Sequence, residues 1–197
     1  MSYPLSEQVT ALILAGGRSS RMGSDKALAT WQGIALLQRV YAVAQACCTH
    51  VSVLTPWPER YQTLLPSNVN WLMEPSTFAG PMAALVQGME TIQTPWVLLL
   101  ACDMPQLNGA VLMQWMQALP DTEKIAHVPY HQNRWEPLCG LYHVDALPSL
   151  KAYVAEHGDR ASFQKWLQTI DAVPLAVDAA IAPMFFNCNT PKELTID

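Results

Sequence analysis

The feature that most constrains this 197-residue chain is an alternation of short apolar runs with segments whose apolar residues recur at helical spacing. Residues 9–14 (VTALIL), 50–55 (HVSVLT) and 96–101 (WVLLLA) are nearly continuous apolar runs, as is typical of strands that are covered on both faces. Helical spacing extends from Leu36 to Cys47 and from Met82 to Ile92. This order of elements predicts right-handed crossovers and an α/β fold with a doubly wound, mostly parallel sheet.

The second half of the chain is less regular, but the alternation continues. We expect strands at residues 125–130, 137–144 and 172–177 and helices at residues 146–157 and 160–170. Thr190, Pro191 and Glu193 form a capping-box pattern with proline at the first helical position, which predicts a final helix. Because no repeat, low-complexity segment or linker interrupts the sequence, residues 1–197 are expected to form one domain.

Composition and charge exclude several classes of protein. Hydrophobic residues make up 51% of the chain and charged residues 14%, which favours a buried core over disorder. The apolar runs are too short to span a bilayer, and the N-terminus lacks the basic start and apolar core of a targeting signal, so we expect a cytoplasmic protein that binds no membrane. The formal net charge of -5 argues against nucleic-acid binding. Five cysteines without a CxxC pair indicate buried thiols rather than disulfides or a zinc site.

A glycine-rich, basic loop, AGGRSSRMGSDK at residues 15–26, follows the first predicted strand. Arg18, Arg21 and Lys26 are 3 of the 11 basic residues in the chain, and glycine backbone N–H groups can approach an anion closely. The combination predicts a polyphosphate ligand. The spacing matches neither the Walker A motif nor GxGxxG, and a solvated surface turn remains the alternative for the loop taken alone.

A second candidate site follows the run 96–101, where Asp103 is expected at the carboxyl edge of the sheet. Ligands of doubly wound sheets bind at this edge, and Mg²⁺ is usually held by one or two carboxylates together with substrate phosphates. Asn187 and Asn189 lie two residues apart before the predicted last helix and could ligate a metal or bind a ribose or phosphate. Taken singly, all three could also be ordinary turn residues.

Three motifs shift this balance: LILAGGRSSRMGSDKALA at residues 12–29, LLACDMP at residues 99–105 and NCNTPKEL at residues 187–194. Together they resemble the molybdenum cofactor guanylyltransferase family, within the wider group of nucleotidyltransferases that share the first motif. The resemblance implies a single-domain, three-layer α/β/α Rossmann-like nucleotidyltransferase fold. It also implies transfer of GMP from GTP to the terminal phosphate of Mo-molybdopterin, which gives the molybdopterin guanine dinucleotide cofactor and pyrophosphate.

The resemblance assigns roles by position. It implies that Lys26 binds the triphosphate, that Asp103 holds the Mg²⁺ cofactor and contacts GTP, and that Asn187 and Asn189 lie near the metal and the second substrate. The implied nucleotide-binding residues are Leu14, Ala15, Gly16, Gly17, Lys26, Glu74 and Asp103. The implied substrates are GTP and Mo-molybdopterin, and the implied partners are transient contacts with other molybdenum cofactor biosynthesis proteins and recipient molybdoenzymes.

Two positions depart from the family's pattern. The family often has an asparagine after the second strand, where this chain has Leu54 and Thr55, and commonly an aspartate where this chain has Glu74. Both departures concern the choice of base, so transfer of CMP to molybdopterin, or of a nucleotide to a sugar phosphate, stays open. A non-catalytic nucleotide- or cofactor-binding module is the alternative from another class, since it would not need Asp103 or a metal.

The implied reaction needs no general base, because the attacking phosphate monoester is mostly dianionic at neutral pH. We therefore expect catalysis to depend on charge neutralisation and in-line positioning by Mg²⁺, Arg21, Lys26 and backbone N–H groups. On the acceptor side, Arg134 is a candidate for pairing with a phosphate and Trp135 for stacking on a planar ring.

Overall fold

A mixed sheet of eight strands runs through the centre of the computed structural model, which describes residues 4–16, 25–74, 80–119, 124–188, 190 and 193–195. The strands, including a separate two-stranded hairpin formed by β2 and β3, are β1 (Val9–Leu14), β2 (Thr30–Trp31), β3 (Ile34–Ala35), β4 (His50–Thr55), β5 (Asn70–Met73), β6 (Trp96–Ala101), β7 (Ala126–His131), β8 (Arg134–Trp135), β9 (Cys139–His143) and β10 (Val173–Ala176). The helices are α1 (Leu5–Gln8), α2 (Leu36–Cys47), α3 (Gly80–Thr91), α4 (Gly109–Gln117), α5 (Leu147–His157) and α6 (Phe163–Thr169).

The strand order in the central sheet is β10-β7-β9-β6-β1-β4-β5, with β8 paired to β7. Strand β1 is parallel to both β4 and β6, β4 is parallel to β5, and β10 is parallel to β7. Only β9 runs the other way among the strands of this order, because it is antiparallel to both β6 and β7. The carboxyl ends of six strands therefore lie at the same edge of the sheet, and those of β1 and β6 are direct neighbours there.

The core has two parts, one on each face of the sheet. Alternate residues of β1 serve the two parts, as the pleat of a strand requires. Ile13 packs in the cluster that includes residues of α2 and α4, whereas Leu12 packs in the cluster that includes residues of α3, α5 and α6. Every residue of β1 and β6 is buried. The resulting three layers are helices, sheet and helices, as the sequence pattern and the resemblance predict.

Helix α3 lies unusually close to β1. A Cβ added at Gly88 would meet the Cδ2 atom of Leu12 at 2.2 Å, a distance that non-bonded carbon atoms do not tolerate. The glycine therefore allows α3 to press against the central strand. Since α3 begins at Gly80 and Pro81 sits in its first turn as the sequence predicts, this contact also fixes where the first turn lies relative to the end of β1.

The structure confirms the three strands at 9–14, 50–55 and 96–101 with the expected bounds. Of the segment predicted as a final helix the structure describes only residues 190 and 193–195: Glu193–Thr195 form a 3₁₀ helix, and the Glu193 carboxylate accepts a hydrogen bond from Thr190 N at 2.7 Å, as in a capping box. Pro191 lies outside the described residues. The helix expected from residue 160 begins at Phe163, because Gly158–Arg160 form a separate 3₁₀ turn.

Two smaller expectations concern membranes and cysteines. Within the part of the chain that the structure describes, no helix has both the length and the apolar character that a membrane span requires. All five cysteines are free, and four of them are buried while Cys102 is half-buried. Burial raises the pKa of each of these thiols, so they are protonated at neutral pH.

Candidate active site

A cleft of about 390 Å³ opens beyond the carboxyl ends of β1 and β6. It brings together six of the residues that the sequence assigns to nucleotide binding, from four separate parts of the chain. The cleft is lined by Leu14, Ala15, Gly16, Asp25, Lys26, Ala27, Trp57, Glu74, Gly80, Pro81, Ala84, Ala101, Cys102, Asp103 and Leu138. Gly17 and Arg21, which the sequence also assigns to this site, lie outside the described residues.

The end of β1 is held rigidly on both sides. Ala15 N donates to the carbonyl of Leu54 at 2.9 Å, and Cys102 N donates to the carbonyl of Leu14 at 3.2 Å. The Thr55 hydroxyl donates to the carbonyl of Ala15 at 3.0 Å. Thr55 is fully buried and does not line the cleft. Thr55, one of the two residues found where the family often has an asparagine, therefore fixes the backbone.

Gly16 allows a close approach of backbone and side chain. A Cβ at this position would lie 2.1 Å from Glu74 Oε2 and 2.9 Å from Pro56 Cδ. Only glycine therefore fits beside the Glu74 carboxyl group in this arrangement. Glu74 itself follows β5 and is held by its backbone N–H, which donates to the carbonyl of Thr55 at 3.0 Å.

An ion pair crosses the cleft. Lys26 Nζ donates to Asp103 Oδ2 at 3.0 Å, and the two residues are 77 positions apart in the sequence. Their side chains are 20% and 18% exposed, so solvent screens the pair only partly. The structure thus places the lysine predicted to bind phosphate and the aspartate predicted to bind a metal within reach of one ligand.

The C-terminal motif also lies beside the Lys26–Asp103 pair. Cys188 N donates to the backbone carbonyl of Asp103 at 3.0 Å, which brings the adjacent Asn187 to the same end of β6. The Asn187 amide donates to the carbonyl of Phe185 at 3.2 Å. Asn189 lies outside the described residues.

A divalent cation fits the chemistry of Asp103. Among the described residues no group of three or more histidine, cysteine, aspartate or glutamate side chains is gathered as a metal cluster. A Mg²⁺ site that takes one protein carboxylate and fills its other positions from phosphate oxygens and water does not need such a cluster. Asp103, which lines the cleft, matches that donor set.

Sequence reasoning did not single out Asp25 and Trp57, which also line the cleft. Asp25 caps the 3₁₀ turn Lys26–Leu28, because its Oδ1 accepts a hydrogen bond from Ala27 N at 3.0 Å. The signal was present in the sequence, since an aspartate directly before a turn is a common N-cap. The Arg60 guanidinium lies over the Trp57 ring, 4.2 Å from the ring centre.

A second cavity, of about 300 Å³, adjoins the cleft, and the two share Gly80, Pro81 and Leu138 as a common wall. Arg134 of β8 lines this second cavity. Trp135 does not line it; its ring is buried and packs edge-on against Tyr130 with ring centres 4.8 Å apart. The expectation that Trp135 stacks on a ligand is therefore wrong, because its ring belongs to the core.

The hairpin that carries Arg134 is clamped by α6. The Gln164 side chain accepts a hydrogen bond from Trp135 N at 3.0 Å and donates one to Trp135 O at 2.7 Å. Glu136, which follows, is half-buried, and burial raises the pKa of its carboxyl group while nearby Arg134 and His131 oppose that rise. Arg134 thus emerges from a fixed backbone beside a partly buried acid.

Burial also raises the pKa of Glu74 above the ordinary value of 4.5. A carboxyl group whose pKa rises on folding stabilises the native state while it is protonated; this contribution is present below the unfolded-state pKa and is lost as the pH rises through the folded-state pKa. Glu74→Gln removes the buried charge, so we expect its Tm to exceed that of the wild type above about pH 6 and the gain to vanish by about pH 4.

Thermal unfolding followed by circular dichroism between these pH values measures the difference. Glu90→Gln is the matched control, because Glu90 is an exposed acid paired with Lys151 at 2.7 Å, and it should show no gain above pH 6. A Glu74→Gln variant that is less stable than the wild type at neutral pH, or whose Tm difference does not change with pH, contradicts the interpretation.

Comparisons with known proteins agree with this geometry. Residues 11–172 match the family model described as MobA-like NTP transferase domain. A protein of Nostoc sp. named "Probable molybdenum cofactor guanylyltransferase" is 44% identical over 191 residues, which cover 95% of this chain and 89% of the relative.

Solved structures show the same fold at low identity. Molybdopterin-guanine dinucleotide biosynthesis protein A from Archaeoglobus fulgidus superimposes with a TM-score of 0.78 at 20% identity, covering 94% of each chain. The 4-diphosphocytidyl-2C-methyl-D-erythritol synthase of Anaerococcus prevotii gives a TM-score of 0.71 at 9% identity, covering 96% of this chain and 93% of that one. The family model matches most of the chain, and the Nostoc relative is 44% identical in sequence. This chain therefore belongs to the MobA-like NTP transferase family of nucleotidyltransferases.

Proposed function

We propose that the protein transfers GMP from GTP to the terminal phosphate of Mo-molybdopterin and releases pyrophosphate. The observation that carries the proposal is the Lys26–Asp103 pair at 3.0 Å in the cleft beyond β1 and β6. A cation for phosphate and a carboxylate for a metal ion are the two groups that a nucleoside triphosphate with its Mg²⁺ requires. The choice of GTP and molybdopterin is supported by the name of the Nostoc relative.

In this proposal the backbone of Leu14, Ala15, Gly16 and Gly17 contacts the nucleotide, and Lys26 binds the triphosphate. Glu74 lies against Gly16, and we propose that it contacts the nucleoside rather than the phosphates, which its carboxylate would repel. Enzymes of this family typically use a divalent metal, and we propose Mg²⁺ on Asp103, where it would neutralise charge on the phosphates.

The chemistry is a displacement at the α-phosphorus of GTP. An oxygen of the molybdopterin phosphate forms the new P–O bond, the bond to the β-phosphate oxygen breaks, and pyrophosphate leaves with the electron pair. No proton has to be removed from the attacking group, because it is mostly dianionic at neutral pH. What the protein supplies is alignment and positive charge, from Lys26, Arg21 and backbone N–H groups.

The proposed reaction is tested by measuring pyrophosphate release with each nucleoside triphosphate in the presence of Mg²⁺ and molybdopterin. We expect release with GTP, and we expect Asp103→Asn to reduce turnover by at least about a hundredfold while the fold survives, since one electrostatic contact in a transition state is worth about that much. Circular dichroism checks the fold of the variant. Release with CTP alone rejects the guanine assignment, release with none rejects catalysis, and near-normal turnover of Asp103→Asn rejects the metal role.

For the acceptor, we propose that molybdopterin occupies the second cavity and that Arg134 pairs with its phosphate. The common wall of Gly80, Pro81 and Leu138 supports this proposal, because an acceptor phosphate has to reach the α-phosphate from an adjoining space. The arginine side chain suits a phosphate, since its planar guanidinium donates two parallel hydrogen bonds. Asn187, beside the end of β6, and Asn189 complete the proposed set of acceptor residues.

Arg134→Ala tests this placement. We expect the KM for molybdopterin to rise by roughly tenfold to a hundredfold, as is typical for the loss of a charge-assisted hydrogen bond, while the affinity for GTP is unchanged. Lys151→Ala is a matched control, since it removes one positive charge from an exposed side chain that pairs with Glu90 outside both cavities. An unchanged KM for molybdopterin in Arg134→Ala contradicts the proposed acceptor site.

Two further parts of the proposal concern the cell. Five free cysteines are compatible with a reducing compartment, and we propose that the protein acts in the cytoplasm. We also propose transient contacts with other molybdenum cofactor biosynthesis proteins and with recipient molybdoenzymes.

A further inference from the structure

Tyr61 is a buried polar residue beside the cleft to which the proposed reaction gives no role. Its side chain is fully buried and stacks on Trp71, with ring centres 6.4 Å apart and an interplanar angle of 24°. A tyrosine used only to fill space would not need its hydroxyl group. Here the hydroxyl points at a charged residue, since Tyr61 Oη donates to Asp25 Oδ2 at 2.7 Å.

Asp25 is the residue that joins this hydrogen bond to the cleft. Its Oδ1 accepts a hydrogen bond from Ala27 N at 3.0 Å, so each of the two carboxylate oxygens is held by a donor of its own. Lys26 stands between Asp25 and Ala27, and the carbonyl of Asp25 accepts a further hydrogen bond from Leu28 N at 3.2 Å. The orientation of the Asp25 carboxylate therefore sets the turn from which the Lys26 amine reaches Asp103.

A further contact to Asp25 Oδ2 is weaker. Arg60 lies 3.8 Å from this oxygen and its side chain is 48% exposed, so solvent screens the attraction. Burial, followed by the hydrogen bond to Asp25, raises the pKa of Tyr61 well above its usual range. The phenol thus stays protonated, and it serves as a permanent donor to the carboxylate.

We infer that Tyr61 is a positioning residue for the nucleotide: its hydroxyl orients Asp25, and through the Asp25 cap it places the Lys26 amine for the triphosphate. The inference rests on the proposed function, because it assumes that Lys26 binds the phosphates of GTP. Tyr61 would thus act on the position of a binding side chain, which distinguishes it from a residue that only stabilises the fold. Tyr61 Oη also lies 3.4 Å from the carbonyl of Ala15, so the test has to separate an effect through Lys26 from one through the Ala15 backbone.

The test is a double-mutant cycle on the affinity of the full-length protein for Mg²⁺-GTP, measured by isothermal titration calorimetry. Tyr61→Phe should raise the Kd by about tenfold, because Asp25 loses a charge-assisted hydrogen bond. In a Lys26→Ala background the same change should raise the Kd by less than about twofold, since the amine that it places is gone. Asp25→Asn, which keeps an oxygen for Ala27 N but offers an amide to Tyr61, should weaken binding in the same way as Tyr61→Phe.

Tyr142→Phe is the matched control. It removes another fully buried phenol hydroxyl, which donates to Pro137 O at 2.8 Å, and it should lower Tm while changing the Kd for Mg²⁺-GTP by less than about twofold. Wild-type affinity in Tyr61→Phe overturns the inference. So does an equal loss of affinity in the wild-type and Lys26→Ala backgrounds, because the effect would then bypass Lys26.

A second readout does not depend on GTP. Crystal structures of the wild type and of Tyr61→Phe provide it. Lys26 Nζ lies 3.0 Å from Asp103 Oδ2 in the native chain, and we expect this distance to exceed hydrogen-bonding distance in the variant. An unchanged distance overturns the inference even if the wild type binds no GTP. Failure of the wild type to bind or use GTP overturns the proposed function instead.

Discussion

The attraction between Lys26 and Asp103 is the interaction on which the rest of the site depends. Two residues 77 positions apart meet at 3.0 Å because the strands that precede them are neighbours in the sheet, with Leu14 of β1 in register with Ala101 of β6. Strand pairing thus brings the following loops together without any contact between them being required first. The register of these two buried strands therefore determines where Lys26 and Asp103 lie relative to each other.

The pair also explains how one cleft can hold both a polyanion and a cation. In the proposed reaction Lys26 would exchange the Asp103 carboxylate for phosphate oxygens, and Asp103 would hold Mg²⁺ in place of the ammonium group. Each charge keeps a partner of opposite sign throughout, so neither is left unpaired in a half-buried position. Ala15, Cys102 and Cys188, near the pair, are each held by a main-chain hydrogen bond.

How much of the fold the sequence predicts depends on burial. Strands β1, β4 and β6 are covered on both faces and read as apolar runs, so their bounds were predictable. Strand β5 was not, because Asn70–Met73 is short, lies at the edge of the sheet and is only half-buried. Helix α4 was also missed, although its buried residues Leu112, Trp115 and Met116 recur at helical spacing and the Asn108 side chain caps its first turn.

The same distinction applies to the site. Lys26 and Asp103 stand in motifs that are recognisable from residue type and spacing, so they could be proposed without a structure. Tyr61 and Thr55 act on partners 36 and 40 positions away, and nothing in their local sequence indicates those partners. Positioning residues of this kind become visible only when the sheet has brought distant segments together, as with the second cavity around Arg134.

The central claim is tested most directly by a crystal structure of the protein with Mg²⁺ and a non-hydrolysable GTP analogue. The account predicts that Lys26 Nζ lies about 3 Å from a phosphate oxygen and that Asp103 faces the metal ion, with the direct Lys26–Asp103 contact broken. A nucleotide bound away from the ends of β1 and β6, with that contact still intact at 3.0 Å, would contradict it.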